Sequence, residues 1–103
     1  MAWYVVTYDI SKTVPGGQSA FLAQAGNVGW TTWCPSADED GRQILLRLPR
    51  TTLMGQFPSL TAADAAFNEA IEKTRTKARG RDVVEKYLLV AKRAAILHSE
   101  ETP

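Results

Sequence analysis

The sequence predicts an α+β fold of the ferredoxin-like type, βαββαβ, with a four-stranded antiparallel sheet and two helices on one face. Three observations carry that expectation. Residues 2–11 are aromatic and β-branched on both alternating faces, which suits an interior strand. Residues 61–80 show the periodicity and charge order of one long amphipathic helix. The remaining apolar runs are short and separated by turn-forming residues, as in a small sheet.

In the first stretch Tyr4, Val6, Tyr8 and Ile10 share one face, and Trp3, Val5, Thr7 and Asp9 share the other. Both faces need cover, which places the strand mid-sheet with Asp9 at its C-terminal rim. Residues 11–17 then form a loop, since Pro15 restricts its predecessor and Gly16-Gly17 loosens the chain after it. A short helix over 18–25 puts Phe21, Leu22 and Ala25 on one side and stops at Gly26-Asn27. Residues 28–35 read as a second strand, and 35–41 as an acidic turn containing Asp38, Glu39 and Asp40. Residues 43–48 are a third strand, which Pro49 ends or bends and which 51–57 continues beyond a bulge.

The second helix starts at Thr61 as N-cap, with Asp64 three residues on as a capping-box variant. Ala63, Ala66, Phe67, Ala70, Ile71, Thr74 and Ala78 form its core stripe, and Gly80 ends it. Residues 83–97 fit a helix or a strand; a strand over 85–93 gives the two-sided first strand a partner. Residues 1–98 thus form one domain and 99–103 a polar tail, a size that supports a single core.

The composition, 45% hydrophobic and 22% charged, is that of an ordinary globular protein. No apolar run is long enough to span a bilayer, and no secretory signal opens the chain, so a cytoplasmic location is expected. A lone cysteine, Cys34, forms no internal disulfide, and with His98 as the single histidine a Cys/His zinc site does not assemble within one chain. The net charge of +1 conceals segregation: residues 1–72 carry net −3, residues 73–93 net +6 and residues 94–103 net −2. Lys73, Arg75, Lys77, Arg79 and Arg81 are the candidate nucleic-acid contacts, although a solvated helix end gives the same pattern. Trp3, Val5, Trp30 and Trp33 are the candidate homodimer face, because a sheet with helices on one side leaves the other bare. Base stacking is the alternative for Trp30 and Trp33.

The end of the first strand, Val6-Thr7-Tyr8-Asp9-Ile10-Ser11, resembles the opening of the small CRISPR-associated nuclease of the spacer-acquisition complex and its toxin–antitoxin relatives. Thr51-Thr52-Leu53-Met54, Ser59-Leu60-Thr61-Ala62-Ala63-Asp64 and Tyr87-Leu88-Leu89-Val90 look like the third strand, second helix and fourth strand of SinR-like proteins. The resemblance implies that Asp9 is the catalytic and metal-binding carboxylate. Paired with its two-fold mate, it would hold Mg²⁺ through oxygen and position a water against an RNA phosphodiester. The family's basic first helix has no counterpart, since Lys12 is the one charged residue of 12–27. The Tyr8-Asp9-Ile10 ending favours the first expectation, a dimeric RNA-binding protein or metal-dependent endoribonuclease. The charge-poor 12–27 segment favours the alternative, a non-catalytic dimeric interaction module.

Overall fold

The computed structural model describes residues 1–92, in the order β1(Ala2–Ile10), α1(Gly17–Asn27), β2(Trp33–Ala37), β3(Gln43–Arg47), β4(Thr52–Phe57), α2(Leu60–Lys77), β5(Val84–Ala91). It is an α+β protein with two helices and antiparallel sheets. β1 is the middle strand of a three-stranded sheet ordered β4-β1-β5. Tyr4, Val6 and Tyr8 on one of its faces are buried, and the half-buried Trp3 and Val5 lie on the other.

Both helices pack on the Tyr4/Val6/Tyr8 face. Phe21 and Ala25 of α1 and Ala63, Phe67 and Ala70 of α2 form one core with those residues, Leu53, Phe57, Trp30 and Val83. Its aromatic members pack edge to face or tilted: Tyr8 lies 5.0 Å from Phe21 and 5.8 Å from Phe67, and Phe21 lies 5.3 Å from Phe67.

The single four-stranded sheet of the expectation is two sheets. β2 and β3 form a separate hairpin, tied to the outer edge of β4 by an isolated bridge between Thr31 and Met54. The reason lies at Pro49-Arg50-Thr51. Pro49 has no N–H for a ladder, and its carbonyl accepts the Thr52 N–H at 3.0 Å, so the chain turns and 52–57 becomes a strand of its own. That strand, not 43–48, pairs with β1, from Ala2 opposite Phe57 to Thr7 opposite Thr52.

Other boundaries move for local reasons. The second strand begins at Trp33 instead of 28, because Gly29 takes φ 105° and turns Trp30 into the core. α1 runs through Gly26 to Asn27. The N-cap of α2 is Ser59, not Thr61, and its Oγ accepts the Ala62 N–H at 3.1 Å. The acidic turn closes as expected: Asp38 Oδ1 accepts the Asp40 and Arg42 N–H groups at 3.0 and 2.8 Å. The last strand ends at Ala91, and Arg93, His98 and the tail 99–103 lie outside the described residues.

The face without helices is not wholly bare. The hairpin curls toward it, and Cys34 and Leu48 pack there with Met54, Trp3 and Val5 into a second, smaller core. Among the described residues, what stays uncovered is the β5 side, where Leu88 is 62% exposed and Val90 45%.

Candidate functional site

The sequence nominated the C-terminal rim of β1, and the structure makes that rim a cleft of about 980 Å³. Its walls come from the end of β1, the loop into α1, the first turn of α1, the turn before β4 and the start of β5. Asp9 stands at its edge, exposed, with Oδ2 at 3.4 Å from Lys86 Nζ on the neighbouring strand. Cross-strand pairing explains that contact, since Asp9 and Lys86 are directly opposite in the β1–β5 register. Among the described residues no group of three or more His, Cys, Asp or Glu side chains converges as a metal centre.

One residue beyond Asp9 the register slips: Ile10 faces Val84, and Glu85 is left without an opposite residue. This is a β-bulge, and it presents Glu85 to the cleft. Across β1, Gln18 of α1 fixes the other wall. Its Nε2 donates to the Arg50 carbonyl at 2.8 Å, and its Oε1 accepts the Tyr8 hydroxyl at 3.4 Å. Burial pushes the Tyr8 phenol pKa up, while the Gln18 hydrogen bond and the nearby Arg50 charge partly oppose it. Arg50 and Lys12 line the cleft and have no carboxylate partner among the described residues.

A second polar cluster joins β5 to α2. The Tyr87 hydroxyl donates to Asp64 Oδ1 at 2.6 Å and accepts from Asn68 Nδ2 at 3.1 Å. The Asp64 carboxylate accepts a hydrogen bond from the protonated phenol and so raises the Tyr87 pKa, with burial adding to it. Asp64 therefore serves as an anchor for the last strand, not as the capping-box residue that its spacing suggested.

The remaining nominated residues are dispersed. In the basic segment Lys73 pairs with Glu69 at 3.2 Å, and Arg75 pairs with Asp82 at 2.8 Å and Glu72 at 3.4 Å. Lys77, Arg79 and Arg81 are exposed and have no such partner among the described residues. Of the four dimer-face candidates, Trp3 and Val5 do lie on the helix-free face. Trp30 does not: it is 3% exposed, 4.7 Å from Phe57 and 5.9 Å from Phe67 in the helix-side core. Trp33 is opposite Arg47, whose guanidinium lies 5.3 Å from the indole centroid, on the hairpin face that alternates away from Cys34. Cys34 is buried, as a small apolar residue would be.

Glu85, Arg50 and Gln18 were not nominated from sequence. A bulge in a register and a side-chain bond across 32 residues leave no local pattern to read.

No protein-family model matches the chain, and no curated protein matches it. Among solved structures it is similar to the crystal structure of an antibiotic biosynthesis monooxygenase, with a TM-score of 0.41 and 11% sequence identity. That likeness covers 93% of this chain and 100% of the other.

Proposed function

We propose that this chain is a homodimeric interaction module that associates through the uncovered part of its helix-free sheet face. The observation that supports the reading is the strip formed by Leu88 and Val90 on β5 beside Val5 and Trp3 on β1. Val5 pairs with Val90, and Thr7 with Leu88, so these side chains stand together on one surface. Exposed apolar side chains contiguous with a half-buried core mark an association surface.

A second copy is the occupant that the strip fits. At its end the opposite charges of Asp9 and Lys86 meet each other, so the patch brings no excess charge of one sign against its own image. Sedimentation equilibrium tests this directly. The chain should show twice the monomer mass, falling to the monomer on dilution. A monomer mass across the whole concentration range would overturn the proposal.

The basic turn supports a second reading. Lys77, Arg79 and Arg81 project charge from the end of α2 and the turn into β5, and single-stranded RNA is the partner that such a cluster fits. Reversing Arg79 and Arg81 to glutamate should weaken binding to an unstructured RNA oligonucleotide and flatten its salt dependence by a slope of about 1.4. Binding indifferent to salt and to the reversal would remove RNA from consideration.

A further inference from the structure

We propose that the cleft at the rim of β1 binds a small linear molecule with a carboxylate at one end and an ammonium at the other. The lining carries opposite charges on the two flanks of β1. Arg50 precedes β4 on one flank of β1, and Glu85 begins β5 on the other flank. Two interstrand spacings separate those flanks, about 10 Å between backbones. Lys12 adds a second cation from the loop after β1.

Neither charge is spent on an ion pair among the described residues. Asp9 has Lys86, but Glu85, Arg50 and Lys12 have no ion-pair partner among the described residues. Each wall is also held in place. The bulge at Asp9/Ile10 takes Glu85 out of the regular ladder, and Gln18 bonds the backbone of Arg50 to the first turn of α1.

Between the walls Ser11 and Thr13 are joined by a hydroxyl–hydroxyl bond of 2.8 Å, a polar floor suited to an amide or a short polar linker. A carboxylate at the Arg50 wall and an ammonium at the Glu85 wall would fulfil both. A dipeptide has the right reach, because two extended residues span about 7 Å and the side chains of Arg50 and Glu85 extend from either wall.

Calorimetric titration of the full chain with glycylglycine, N-acetylglycine and glycylglycinamide separates the two charges. Glycylglycine should bind, and each one-charge analogue should bind at least about tenfold more weakly. Arg50→Gln should remove the preference for the carboxylate and Glu85→Gln the preference for the ammonium, each with an unchanged melting temperature because both side chains are exposed. Three results would each overturn the proposal: no heat with glycylglycine; equal binding of all three probes; or glycylglycine binding untouched in both variants. The oligomeric state plays no part in this readout, so its outcome is independent of the dimer proposal.

Discussion

Replacing Phe67 with alanine is expected to lower the unfolding free energy by about 3–5 kcal/mol, the range for a buried aromatic truncated in a packed core. Phe67 is 0% exposed, on the face of α2 that meets the sheet. Its ring lies 4.6 Å from Tyr87 of β5, 5.3 Å from Phe21 of α1, 5.8 Å from Tyr8 of β1 and 5.9 Å from Trp30. One side chain therefore joins both helices, the central strand, one edge strand and the link into the hairpin. Four aromatic neighbours from four segments have no common way to close on the vacated volume, so collapse should recover little. A domain of this size has about 5–15 kcal/mol in all, and the loss would bring it close to unfolding at ambient temperature. Urea denaturation of wild type and Phe67→Ala measures it as a shift in midpoint at constant slope. A loss below about 1 kcal/mol would mean that the site collapses freely and that the packing is looser than these distances imply.

Much of that core was legible in the sequence because it is written in local periods. Alternation in residues 2–10 separates Tyr4, Val6 and Tyr8 from Trp3 and Val5, and the structure separates them in the same way. The helical spacing of Ala63, Phe67, Ala70 and Thr74 identifies the four buried residues of α2. Period fails where one residue overrides its neighbours. Trp30 sits in a run that alternates like a strand, yet Gly29 at φ 105° and the aromatic pocket of Phe57 and Phe67 take it inward.

The split of the sheet was hidden for a similar reason. Residues 43–57 carry strand composition throughout, and Pro49 alone does not say whether the chain bulges or turns. Gly55 shows what composition omits. A Cβ there would stand 2.8 Å from the Gly29 carbonyl oxygen and 2.6 Å from the Phe57 ring, a close approach between segments that no local pattern announces. The cleft is the extreme case. Asp9 was visible as a carboxylate ending an apolar strand, whereas Glu85 and Arg50 join it only through strand pairing and a turn. Recognition of the rim thus came from one residue, and its chemistry comes from three segments.

The second large effect is expected at Leu88. Leu88→Asp should weaken self-association by at least about a hundredfold, which corresponds to roughly 2.8 kcal/mol. Burying a leucine side chain contributes about 1.5–3 kcal/mol, and a two-fold interface contains the position twice. The substitution removes both contributions and leaves a carboxylate in an apolar seam, where the burial penalty adds to the loss. Because Leu88 is 62% exposed in the single chain, the variant should melt close to the wild-type chain diluted to its monomer. Leu45→Asp is the matched control. Leu45 is 43% exposed but pairs with Pro35 on the hairpin face that alternates away from Cys34, so its replacement should leave the sedimentation mass unchanged. If Leu45→Asp dissociates the dimer while Leu88→Asp leaves it intact, the seam lies on the other face of the hairpin and the β5 strip is an ordinary exposed patch. If Leu88→Asp alone gives a folded monomer, the apolar strip beside Val5 is the association surface, and the loss is one of contact and not of fold.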